Sequence, residues 1–160
     1  MISDVAAFQA YFKRVYERTL EVARAVPEDK IDWMLAPGEL TCGDLIRHIG
    51  STELMNVRAV VTGDLQYPGH AGNLGATHSA ALMYLQRCHT TAQALLATLP
   101  PERLQINVPG KWPDVPGWRR LLGMIEHEIH HRSQLCSYLT LLGVQPPALF
   151  GIYLEELPSL

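Results

Sequence analysis

Cysteine is scarce in this chain and badly placed for pairing: Cys42, Cys88 and Cys136 are far apart and odd in number. No CxxC occurs, so neither a disulfide framework nor a cysteine zinc site is indicated, and reduced thiols in a cytoplasmic protein are the plain reading. Charge is sparse too, at 18% of residues with a net charge of -3. Neutralising nucleic-acid phosphates takes clustered Lys and Arg, and the scattered basic residues here argue against such a surface. Arg119-Arg120 reads as a solvated helix face. No uncharged apolar stretch approaches the ~20 residues that span a bilayer. Asp4, Lys13 and Arg14 come where a signal peptide would need its apolar core. Strand-like alternation, internal repeats and low-complexity runs are also missing.

What is present is an apolar fraction of 48% in 160 residues, enough for one domain, 1–160, with a real core. Four long segments carry helical periodicity. The first runs from about Ser3, a possible N-cap, to Val26 before Pro27, with Val5, Phe8, Phe12, Val15, Thr19 and Val22 at helical spacing. Thr41-Cys42-Gly43-Asp44 reads as a capping box with Asp in place of Glu, opening a second helix that reaches Gly63. A glycine-rich loop, Pro68 to Gly75, precedes a third helix from about Thr77 to Leu99, stopped by Pro100-Pro101. A short extended piece at 105–108 and a turn follow. The fourth helix starts near Pro116 and ends at Leu142-Gly143. The expected architecture is an all-α four-helix bundle, with a short extra C-terminal helix around Ile152 to Glu156. The connection from Val26 to Thr41 is long enough to cross the bundle end.

Three histidines carry the chemistry: His48 on the second helix, and His127 with His131 one turn apart on the fourth. An i, i+4 pair stacks two imidazoles on one helix side, where both can reach one metal ion. With a third ligand from elsewhere, at least one coordination position stays open for water or substrate. At 100° per residue His127, His131, Met124, Leu135, Tyr138 and Leu142 share an arc of about 80°. Glu126, Ser133, Ser137 and Arg119 lie opposite, and His130 falls towards the polar side. On the second helix His48 groups with Leu45, Thr52, Met55 and Ala59, while Arg47 and Arg58 point away. The competing reading is a pair of hydrogen-bonded core histidines, and spacing alone leaves both open.

At these residues the chain resembles the DinB-like (YfiT-like) superfamily of four-helix-bundle metalloproteins, distinct from the lesion-bypass polymerase that shares the name. The resemblance rests on Asp44-Leu45-Ile46-Arg47-His48-Ile49 with Glu53 a turn later, on 126–135, and on the ending Leu141-Leu142-Gly143-Val144-Gln145-Pro146-Pro147. It implies a three-histidine site at His48, His127 and His131, holding nickel or zinc with water completing the shell, and a homodimer. It also implies chemistry on a small-molecule substrate: relatives include S-transferases that use low-molecular-weight thiols such as bacillithiol, and a mycothiol-dependent maleylpyruvate isomerase. A metal-dependent hydrolase or thiol S-transferase is the expectation. The alternative is a non-catalytic metal-binding stress-response or dimerisation bundle, because fold membership does not transfer a substrate.

His127-Glu128-Ile129-His130-His131 also matches the zinc-protease pattern H-E-x-x-H, with Glu128 as base and Glu155 or Glu156 as third ligand. The lack of a sheet to align a peptide, and the upstream His48, favour the bundle. Glu128 is left as a catalytic candidate, a base or a partner orienting a histidine, against a rim carboxylate paired with Arg132. Glu53, Arg132 and Gln134 read as helix braces. His70, His78 and His89 read as surface or capping residues, and Cys42, near a helix N-terminus, lacks a neighbouring base. Trp112, Trp118 and Tyr67 either line a pocket or cover the bundle ends.

Overall fold

A computed structural model describes residues 4–108, 114–153 and 156. Helix α1, Val5–Arg24, opens at Asp4, whose carboxylate accepts the Ala7 N–H at 3.1 Å. Asp4 thus takes the capping role expected of Ser3, which lies outside the described residues. The periodic side chains Phe8, Phe12, Val15, Thr19 and Val22 are all buried.

Helix α2, Cys42–Thr62, carries the expected capping box: the Thr41 hydroxyl accepts from the Asp44 N–H at 3.0 Å, and the Asp44 carboxylate accepts from the Thr41 N–H at 3.2 Å. It stops at Gly63, whose φ of +83° is open to glycine without a Cβ penalty. Helix α3, His78–Leu96, starts at Thr77, whose hydroxyl accepts from the Ala80 N–H.

The expected extended piece forms a two-residue antiparallel ladder, β1 (Asn107–Val108) against β2 (Val115–Pro116). The turn at 109–113, Trp112 included, lies outside the described residues. Helix α4, Gly117–Leu141, ends in a Schellman arrangement: Gly143 at φ +75° donates to Thr140 O, and Val144 N–H to Leu139 O at 2.9 Å. Of the extra helix expected around Ile152 to Glu156, residues 154 and 155 lie outside the described residues, and residues 152–153 are not helical. No described helix is long and apolar enough to cross a membrane.

Helix α2 packs chiefly on α3 and α4, and α1 on α4 and α3. Consecutive α1 and α2 therefore sit diagonally, and the segment between them, with a 3-10 turn at Glu28–Lys30, crosses one end of the bundle. At the α2–α3 contact a Cβ on Gly50 would meet Leu85 Cα at 3.1 Å, so the lack of a side chain there lets the two backbones approach.

Two apolar clusters fill the interior. One is built around Phe8, Phe12, Val57, Leu96, Leu121 and Ile125, the other around Val22, Leu45, Ile49, Leu85, Leu135 and Leu139. Between them runs a polar layer with one group from each helix: Thr19, Glu53, His89 and Glu128, all buried. His89 Nδ1 lies 3.0 Å from Glu53 Oε2, and the Gln93 amide donates to its Nε2 at 3.3 Å. The Nδ1–H tautomer, donating to Glu53, satisfies both contacts. His89 also stacks on Tyr16 with ring centroids 3.7 Å apart.

His89 is thus a core residue, correcting the surface reading, and so is His78, whose Nε2 meets Ala23 O at 2.9 Å. Sequence spacing misses both because their partners sit on other elements.

Burial and the nearby Glu128 charge hold the Glu53 carboxyl well above the usual carboxylate range, and burial pushes His89 down to about 4. A carboxyl whose pKa is raised on folding contributes stability that is full below its unfolded value and is lost as pH rises. Glu53→Gln keeps an acceptor for His89 without the charge. Melting temperatures from pH 5 to pH 9 should show the wild type falling progressively relative to Glu53→Gln; a constant difference would contradict a protonated Glu53.

Candidate metal centre

The α2–α4 seam brings the three predicted histidines together. His48 Nε2 and His127 Nε2 are 3.0 Å apart, as are His127 Nε2 and His131 Nε2. Among the described residues these three form a group whose ligand atoms all lie within 4.8 Å of one another. Bonds of ~2.0–2.1 Å to a common ion put neighbouring nitrogens roughly 2.9–3.4 Å apart, so the spacing suits one divalent cation.

The outer nitrogens explain why Nε2 faces inward. His131 Nδ1 meets Gln134 Oε1 at 2.5 Å, and an amide oxygen only accepts, so this Nδ1 carries the hydrogen. His127 Nδ1 lies 3.4 Å from the Thr52 hydroxyl, whose own hydrogen is directed at the carbonyls of His48 and Ile49. His48 Nδ1 meets the Tyr67 hydroxyl at 2.6 Å. A Tyr67 hydroxyl that accepts from His48 and donates to His70 puts the third hydrogen on Nδ1 as well, and in that arrangement the Nε2 lone pairs converge. They repel one another there unless a cation lies between them, which is the donor chemistry a divalent metal requires.

Burial, and then the neighbouring imidazoles, lowers His48 to about 3 and His127 to about 4, and burial lowers His131 as well. The rings are therefore neutral at pH 7, the form that ligates. His130 is exposed on the outer side, as its helical position predicts.

Tyr67 and His70 complete the surroundings. The Tyr67 hydroxyl, pushed up to about 12 mainly by burial, also lies 2.8 Å from His70 Nδ1. It can accept from His48 and donate to His70. Their loop, expected only as a glycine-rich connection, is pinned to α2: Arg47 donates to His70 O at 2.7 Å and Gly75 O at 2.6 Å, and Ser51 donates to Gly69 O at 2.5 Å. Arg47, expected to point away from the inward stripe, is only 3% exposed and also pairs with Asp44 at 2.8 Å. It does leave the bundle interior, but the loop folds over it and supplies carbonyls. An aromatic hydroxyl and a histidine three residues apart in a loop of small residues were the signal in the sequence.

Glu128 is neither on the rim nor paired to Arg132 by a hydrogen bond among the described residues. It is 1% exposed, and its carboxyl meets the Thr19 hydroxyl at 2.6 Å. Burial raises its pKa to about 7. None of its described hydrogen bonds reaches the three imidazoles. Arg132, whose charge favours the Glu128 carboxylate, donates to Val15 O, bracing α4 against α1. Cys42 is buried and its thiol pushed up to about 11 by burial, which suits packing rather than attack. Trp118 packs against the apolar cluster around Phe12.

Fold and site together define a helical bundle with a three-histidine cluster on one seam. The sequence profile of the DinB superfamily matches residues 11–135, and the chain belongs to that superfamily. It is similar to the solved structure of a DinB-like protein from Bacillus subtilis (YjoA), with a TM-score of 0.73 and 21% identity, covering 89% of this chain and 96% of that one. A DinB-like protein from Bacillus cereus superposes with a TM-score of 0.75 at 19% identity, covering 96% of this chain and 100% of that one. At such identities the likeness is one of fold. No curated protein matches the chain.

The Arg47 tether makes a direct prediction. Arg47→Ala leaves the His70 and Gly75 carbonyls without their donor. Urea denaturation should show a loss of about 2–3 kcal/mol, with faster amide exchange across 69–75. Unchanged exchange there would refute the tether.

Proposed function

We propose that this protein holds a divalent ion, nickel or zinc, through Nε2 of His48, His127 and His131, and acts on a small molecule as a metal-dependent hydrolase or thiol S-transferase. The observation that carries this reading is the convergence of three Nε2 atoms whose rings each meet a hydrogen-bond acceptor at Nδ1. A divalent cation there would lower the pKa of a bound water or thiol so that the nucleophilic form exists near neutral pH. A low-molecular-weight thiol as co-substrate and a homodimeric state belong to the same proposal.

The chain's own residues do the rest. Gln134, Thr52 and Tyr67 set ring orientation and tautomer. Tyr67, bridging His48 and His70, couples the loop to the centre. Met55 and Met124 line the adjoining cavity with apolar surface and limit water there. Glu128, bonded to Thr19 in the core, is given no proton-transfer role.

Elemental mass spectrometry on untagged protein tests the proposal. One divalent ion per chain is expected in the wild type and in His130→Ala, and loss of most of it in His127→Ala or His131→Ala. No uptake by the wild type after reconstitution with nickel or zinc overturns the reading. Tyr67→Phe removes the acceptor on His48 and should weaken metal affinity roughly 10-fold or more, measured by competition with a chelating dye.

A further inference from the structure

Beside the imidazoles the α2–α4 seam opens into a cavity of about 500 Å³, within the range of roughly 300–1,000 Å³ typical of small-molecule sites. Thr52 and His127 form its inner end, and Met55, Met124 and Val115 its apolar walls. At the far end stand Arg119, Arg120 and Asn56. Arg120, Met124 and His127 are i, i+4 and i+7 on one face of α4, which puts the guanidinium-bearing residue about 10 Å along the axis from the histidine.

The two arginines differ in state. Arg119 is exposed on the rim, and both of its terminal nitrogens donate to Glu126 Oε2 at 3.1 Å. Arg120 is half-buried, and its Nη1 donates to Asn56 Oδ1 at 3.3 Å. Asn56 is itself held by donation to Thr52 O at 2.8 Å. The guanidinium is therefore oriented at the cavity end, in partly desolvated surroundings where a charge-assisted hydrogen bond counts for more than in water. The exposed Asp114 acts on Arg120 from the hairpin as a competing carboxylate.

Gly123 supplies a second observation. Glycine in mid-helix is destabilising relative to alanine, yet packing does not require it here. A Cβ would meet the flexible end of Arg119, at 3.6 Å. Gly123 lines the cavity, and any longer side chain would take up its space.

We propose that this cavity binds a small organic carboxylate, with its anionic group on Arg120, its apolar body along Met55, Met124 and Val115, and its far end presented at His127. A planar guanidinium matches the two oxygens of a carboxylate, which selects that group over a neutral isostere of the same shape. The presentation at His127 rests on the metal reading above; recognition of the carboxylate does not.

The test uses protein labelled with ¹³C at the methionine methyls, so that NMR reports on Met55 and Met124. The probes are benzoate, phenylacetate, 3-phenylpropanoate and 4-phenylbutanoate, each beside its carboxamide, with and without added zinc. At least one acid should shift both methyls saturably and bind about tenfold or more tighter than its amide. Arg120→Gln should abolish that preference and leave zinc uptake intact, and Gly123→Leu should weaken acid and amide alike. The acid–amide comparison stands on the wild type alone if a variant fails to fold. No saturable shift with any acid, equal affinity for acid and amide, or a preference that survives Arg120→Gln overturns the proposal. Failure of zinc uptake with the acid preference intact removes the metal reading only. Zinc uptake without the preference removes the carboxylate site only.

Discussion

The bundle is organised around a polar layer that cuts its apolar interior in two. Thr19, Glu53, His89 and Glu128 come from four different helices and are all buried. Burying such groups costs several kcal/mol each unless they find partners. Glu53–His89 fixes α2 against α3, Thr19–Glu128 fixes α1 against α4, and Tyr16 of α1 stacked on His89 of α3 ties the two pairs into one axial register. Sliding any helix by a turn would leave carboxyl groups against leucine and phenylalanine. Apolar packing alone tolerates such slips far better, because one aliphatic layer resembles the next.

The three-histidine centre depends on the same register. His48 and Thr52 both precede Glu53 on α2, within a turn and a half of it, and His127 and His131 flank Glu128 on α4. Where the carboxyls face inward, the imidazoles fall on the adjoining α2–α4 seam, and their Nε2 atoms meet there. One helix turn thus contributes both to the core that holds α2 and α4 in place and to the site between them. The cavity that runs from His127 to Arg120 follows α4 for two further turns, so the reactive end and the charged end of the pocket belong to one rigid element.

Much of this was readable along the chain. Thr41 with Asp44, Thr77 and Gly143 mark helix ends through local hydrogen bonds, within a few residues of sequence, and the structure uses all of them. The His127–His131 spacing was equally local. The third histidine joined them because the helical period put His48 on an inward stripe with Leu45, Thr52 and Ala59. The arginine at 47, the histidines at 78 and 89, and the tyrosine at 67 were not readable in this way. Helical periodicity tells which way a side chain leaves its helix, but not what lies over it. Arg47 leaves the core as expected and is then covered by 69–75; His78 reaches a carbonyl 55 residues earlier in the chain.

Short-range hydrogen bonding and a 3.6-residue period are enough to set the number of helices, most of their caps and the faces they bury. They also put two imidazoles on one helix side. Only packing of the helices places α1 and α2 diagonally. It also decided that Glu53, His89 and Glu128 share the interior, that the loop bearing Tyr67 closes over α2, and that Arg120 shares a cavity with His127. Each of these is set by contacts between residues dozens of positions apart, whose partners become visible only when the helices pack.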